Sequence, residues 1–138
     1  MTRRPTQGNL DPSARILEAA GAVQAGLPGG LPTAAYREAL EVELSRGGVP
    51  LRAGVEVPIH YKGIRLAAHY RVDFVCFGAL LVLVSPPGGW TGGTHWIPGC
   101  LDASGAIRAL VLEFGGASLR WALVDRATRP RLVAESPA

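Results

Sequence analysis

The stretch His69–Pro87, HYRVDFVCFGALLVLVSPP, decides how the chain folds. It reads as two strands joined at Phe77-Gly78 and halted by Pro86, Pro87 and the glycines after them, since proline cannot donate to a sheet ladder. Val, Leu and Phe dominate both runs, and Ala79–Val84 carries no charge. One carboxylate, Asp73, stands inside the first strand with Val72, Phe74 and Val75 around it. A charge in such surroundings must be paired or hydrogen-bonded to be tolerated, so the role of Asp73 has to be found.

On the N-terminal side, Val55, Val57 and Ile59 alternate with Glu56, Pro58 and His60, the period of a half-buried strand. Pro58 places that strand at an edge or a bulge. Tyr61-Lys62-Gly63 supplies a turn and Ile64-Arg65-Leu66 the return. Further back, Tyr36, Leu40 and Leu44 recur at helical spacing after Thr33, a potential cap, and Gly47-Gly48 ends that helix. Ala25–Pro32, with three glycines and two prolines, is a loop. Asp11-Pro12 opens a first helix that Ile16, Leu17, Ala20 and Val23 carry to about Gln24.

On the C-terminal side, Gly88–Gly99 holds five glycines and two tryptophans with no clear period. A helix between His95 and Ala103 is opposed by Pro98-Gly99. Ala106–Phe114 and Ser118–Val124 then read as strands. The fold class expected is α+β: two N-terminal helices, a mainly antiparallel or mixed sheet built from hairpins, and a further short helix. One domain is expected over 11–125, between a flexible segment at 1–10 and a peripheral tail at 126–138.

Composition bounds the function. The 138 residues, 48% hydrophobic and 18% charged, suit one domain with a real core. No apolar run is long enough for a membrane helix, and the segment behind Arg3 and Arg4 lacks the apolar stretch of a signal peptide. Cys76 and Cys100 are expected as reduced thiols in a cytoplasm, Cys76 as a small core residue. The net charge of +3 is spread, with Arg3, Arg4, Arg126, Arg129 and Arg131 in the terminal segments, so a nucleic-acid face is not defined. His60, His69 and His95 lack metal-ligand spacing, neither cysteine belongs to a CxxC pair, and no zinc site is expected. Ser85 precedes Pro-Pro and is no nucleophile elbow. Gly88–Gly93 opens no clear helix as a phosphate loop would.

Three segments together carry a resemblance. GLPTAAYREALEVEL (Gly30–Leu44), VEVPIHYKGIRL (Val55–Leu66) and YRVDFVC (Tyr70–Cys76) resemble the GxxExxY proteins, a family within the PD-(D/E)XK nuclease superfamily, with matching motif order from about Ile16 to Val124. The resemblance implies phosphodiester hydrolysis with Mg²⁺ held by converging carboxylates: a helix glutamate, a strand aspartate, and Glu-x-Lys on the next strand. The strand aspartate is retained as Asp73, with Arg71 two residues before it. The helix glutamate falls at Thr33, and the Glu-x-Lys pair, allowing a slip of one residue, at Leu83 and Ser85. The family's helical glutamine falls near Trp96, and its final Asn-Phe-Gly becomes Glu113-Phe114-Gly115. Leucine cannot hold a metal, and serine cannot replace an ammonium.

Asp73 therefore reads first as a structural carboxylate paired with Arg71, Arg65 or backbone donors, and second as a residual metal ligand. Glu113 is the leading candidate for a migrated acid, ahead of Glu56 and Glu18, although a strand-end glutamate is more often exposed. Trp90, Trp96 and Arg71 are the candidate binding residues, and an apolar assembly patch is sought around Trp90–Ile97. The expectation is a catalytically degenerate nuclease-like domain that binds a protein partner or itself in preference to nucleic acid, without membrane, metal or small-molecule cofactor. The alternative is a divergent Mg-dependent nuclease using Asp73 with Glu113.

Overall fold

The computed structural model describes residues 11–85 and 94–126 and the backbone of 134–135. Its helical hairpin forms from two apolar stripes. Ile16, Ala20 and Val23 are the buried face of α1 (Pro12–Gly26), and Tyr36, Leu40 and Leu44 that of α2 (Thr33–Arg46). Pro32 rather than Thr33 occupies the position before α2, so Thr33 is its first helical residue and makes no side-chain cap.

The strands are β1 (Leu51–Tyr61), β2 (Ile64–Cys76), β3 (Leu80–Ser85), β4 (Arg108–Glu113), β5 (Arg120–Asp125) and β6 (Ala134–Glu135), with α3 (Ile97–Ser104) between β3 and β4. They form one sheet in chain order. Every neighbouring pair is antiparallel except β3 and β4. That exception makes the sheet mixed: a parallel pair needs a crossover, and α3 supplies it. Pro98 does not break α3, because it lies in the first turn, where a missing N–H is no loss. Ala134 and Glu135 pair with β5, so this part of the expected tail belongs to the sheet. The hairpin turns fall as read, with Lys62-Gly63 and Phe77-Gly78 all at positive φ.

Apolar residues alternate across β3, so the sheet has two covered faces. Leu80 and Val82 join Phe74, Cys76, Leu110 and Leu112 beneath α1 and α2. Leu81 and Leu83 join Val72, Val75, Ala109 and Val111 against Ile97, Cys100 and Leu101 of α3. The result is a three-layer α/β/α arrangement. No helix among the described residues is long and apolar enough to cross a membrane.

Two close contacts lock the layers. A Cβ on Gly29 would lie 2.7 Å from the carbonyl oxygen of Gly115, where the loop between the helices crosses the turn between β4 and β5. Gln24 clips the same turn, donating to the Gly116 carbonyl at 3.0 Å and accepting from Gly115 N–H at 3.3 Å. Because the obstruction is backbone, Gly29→Ala should cost about 1–3 kcal/mol, measurable by urea denaturation.

Burial pushes the Cys76 thiol up from 9.0 to about 12 and that of Cys100 to about 11, because a thiolate is poorly solvated in either core. Both folded values exceed the unfolded one. The stability this contributes is complete below pH 9.0 and is lost as the pH climbs toward about 12. The urea midpoint of wild type should therefore fall more steeply above pH 9.0 than that of a Cys76→Ala/Cys100→Ala variant.

Candidate functional site

The site begins where β2 changes face. Val72 and Phe74, two residues apart, belong to the clusters on opposite sides of the sheet, so the regular alternation breaks at Asp73. The register pairs Ala53 with Phe74 and Val55 with Val72, which sets Gly54 directly across from Asp73. Gly54 has φ +61°, a conformation that L side chains rarely adopt, and it permits the break. The β2–β3 register runs from Cys76↔Leu80 to Phe74↔Val82 and ends there. Beyond this fork, among the described residues, β2 pairs with β1 alone.

Asp73 bridges the fork. Its Oδ2 accepts a hydrogen bond from the Val84 backbone N–H at 2.8 Å, supplying a partner for β3 where the strand pairing has ended. Its Oδ1 accepts from Arg37 Nε at 2.7 Å. The side chain of Asp73 is 21% exposed and that of Arg37 40%. One carboxylate thus holds a strand on one side and α2 on the other, with a cation in direct contact. The expected partners Arg71 and Arg65 are not the ones used. Arg71 points to Glu56 at 4.0 Å, in a group that His69 joins at 3.6 Å, whereas Arg65 lies out near the hairpin turn. Arg37 fits because it is one helical turn beyond Thr33, on the α2 face turned to the fork.

The remaining positions do not converge on a metal centre. Thr33 is half-buried at the start of α2. Leu83 is 6% exposed and packs in the cluster under α3. Ser85 lies level with Glu113 in the parallel register of β3 and β4. Glu113 corrects the expectation of an exposed strand end: it is buried, 3% exposed, with Oε2 held 3.5 Å from Nη1 of Arg120, its register partner on β5. Two strand spacings of about 4.8 Å separate Glu113's strand from that of Asp73. Glu18 lines a separate cavity between α1 and α2 with Arg15, Glu43 and Arg46. The acids that do share a cavity with Asp73 are Glu38 and Glu41 of α2, in a cleft of about 260 Å³ bounded by Arg37, Gly54 and Arg71. Sequence reasoning missed Arg37, Glu38 and Glu41; their i, i+1, i+4 spacing on the helix carrying Thr33 was the available signal.

Trp96 stacks on Tyr70, ring centroids 6.0 Å apart, and packs half-buried at the start of α3. Gly99 allows that contact, since a Cβ there would lie 2.8 Å from the Tyr70 hydroxyl. Ile97 is buried, and Trp90 lies outside the described residues. The expected apolar patch around Trp90–Ile97 thus lies partly outside the described residues. Among the described residues, Tyr61, Ile64 and Leu66 are exposed together at the hairpin turn.

A family model of the PD-(D/E)XK nuclease superfamily matches residues 11–85, more than half of the chain, and the chain belongs to that superfamily. The match spans both helices and the fork and ends at Ser85, before Trp96 and Glu113. No curated protein and no solved structure matches it.

Mg²⁺ chemistry, which the superfamily implies, requires several oxygen donors around one point. Here Leu83 offers no donor, Thr33 and Ser85 offer only neutral hydroxyls, and both oxygens of Asp73 are engaged. Among the described residues, no three His, Cys, Asp or Glu side chains are grouped to hold a metal ion. The residues present do not fit the ion.

If Asp73 is a structural bridge, its loss should exceed the loss of its cation. Asp73→Ala orphans both Val84 N–H and Arg37 and should cost about 2–3 kcal/mol, against about 1 kcal/mol for Arg37→Ala. Chemical denaturation of both variants and the double variant checks the order; equal losses would contradict it.

Proposed function

We propose that this chain is a nuclease-fold domain without phosphodiesterase activity, serving as a binding or assembly module for a protein partner or for itself in preference to nucleic acid. The observation that carries the reading is the Asp73 carboxylate, with Oδ1 held by Arg37 and Oδ2 by the Val84 N–H. A guanidinium sits against it where the superfamily's chemistry would need a divalent cation. The substitutions at Leu83 and Ser85 support the same reading. A side chain packed in the core cannot reach a phosphate, and a hydroxyl cannot supply the positive charge that stabilises the developing oxyanion. The retained motif residues Gly30 and Tyr36 serve the scaffold. The Tyr36 hydroxyl donates to the Pro28 carbonyl at 2.6 Å and accepts from Leu31 N–H at 3.3 Å, and its ring stacks on Phe114 at 5.6 Å.

The test is cleavage of supercoiled plasmid, single-stranded DNA and RNA with Mg²⁺ or Mn²⁺, by wild type and Asp73→Ala. Neither protein should cleave above the protein-free blank. Wild-type cleavage that disappears in Asp73→Ala would overturn the reading and favour a rearranged metal centre drawing on Glu113.

A further inference from the structure

Beyond the fork, β1 and β2 run on as a two-stranded arm that turns at Lys62-Gly63. From Val57 to Val72 the sequence has no aspartate or glutamate, while Lys62, Arg65 and Arg71 add positive charge. At the tip, Tyr61 is 60% exposed, Ile64 65% and Leu66 38%. Tyr61 and Ile64 are register partners and share a face of the ribbon. Lys62 Nζ lies 5.4 Å from the centroid of the Tyr61 ring. Among the described residues, neither Lys62 nor Arg65 is in an ion pair. The tip is both apolar and cationic.

The base of the arm has the opposite character. In the cleft between α2 and the arm, Arg37 and Asp73 neutralise each other, which leaves Glu38 and Glu41 facing Arg71. Both glutamates are exposed and in no ion pair among the described residues. Val42 beside them is 49% exposed.

We propose that the arm tip of one copy docks in the α2 cleft of a second copy, and reciprocally, so that the chain assembles as an arm-exchanged homodimer. This deepens the binding-module reading and rests on it, naming a second copy as the partner. Tip and cleft lie at opposite ends of one arm, about 25 Å apart at about 3.3 Å per residue. A two-fold axis across the middle of the arm lays two arms antiparallel and brings both tips to both clefts together. The contact is then isologous and closes at two subunits. Tyr61, Ile64 and Leu66 lose water in the contact. Lys62 and Arg65 meet Glu38 and Glu41, setting orientation and excluding other registers more than adding affinity.

The experiment is sedimentation equilibrium of the full chain and of two exposed-surface variants, Lys62→Glu/Arg65→Glu and Glu38→Lys/Glu41→Lys. Wild type should sediment as a dimer, and each variant alone should associate at least about tenfold more weakly, because each then sets like charge against like charge. Mixing the two should restore a heterodimer, since both of its contacts are again of opposite sign. Ile64→Ala/Leu66→Ala should weaken association with the charges intact, and circular dichroism should show every variant folded. A monomeric wild type, a dimer unmoved by either charge reversal, or failure of the mixture to re-form would each overturn the inference. So would a monomer whose tip variants lose only oligonucleotide binding, which would assign the arm to nucleic acid. Mass is read independently of cleavage: a dimer that cleaves DNA would refute the inactive reading alone, and an inactive monomer would refute the dimer alone.

Discussion

Everything near the fork depends on one carboxylate with two obligations. β2 does not continue along β3 past Phe74, where the strand changes face, and beyond that point, among the described residues, it pairs with β1 alone. That leaves a backbone donor on β3 at Val84, and Asp73 satisfies it. The charge so introduced into a largely apolar hairpin needs its own compensation, and Arg37 supplies it from α2. Sheet, arm and helix are thereby tied at a single point. A charged residue in such a position is tolerated because each of its oxygens has a partner, and removing either partner leaves a poorly solvated group behind.

Much of the fold was legible because its signals are local. The α2 stripe, the Lys62-Gly63 turn and the uncharged β3 each follow from spacing or turn chemistry. The parallel pairing of β3 with β4 was not legible, since periodicity records which residues are buried and not which strand lies alongside. α3 was obscured by Pro98, whose meaning depends on where the helix starts. At the site, the residue types at Thr33, Leu83 and Ser85 could be read directly. The Arg37 partnership could not, because it joins residues 36 positions apart through a kink that only the Gly54 backbone reveals. Glu113 was misread as exposed because a strand end in sequence need not be a sheet edge: β4 lies between β3 and β5, with Arg120 across from it.

The motif residues that match the resemblance hold the scaffold together. Tyr36 and the glycine-rich loop hold the two helices to the end of β4, and Asp73 holds α2 to the fork. These contacts stabilise the fold whatever the site does. Thr33, Leu83 and Ser85 take a helix start, a core position and a strand end. Among the described residues, the arm tip carries the exposed Tyr61, Ile64 and Leu66, and the cleft at the arm's base the exposed Glu38 and Glu41.

The central proposal is that Arg37 and the Val84 N–H hold the two Asp73 oxygens in place of a divalent ion. Paramagnetic broadening by Mn²⁺ of assigned backbone amide resonances tests it most directly, since it reports binding whether or not any substrate is cleaved. The account predicts that substoichiometric Mn²⁺ leaves the amides of Asp73, Val84 and Glu113 no more broadened than those of surface acids elsewhere. Selective broadening at Asp73 and Val84 that disappears in Asp73→Ala would contradict it.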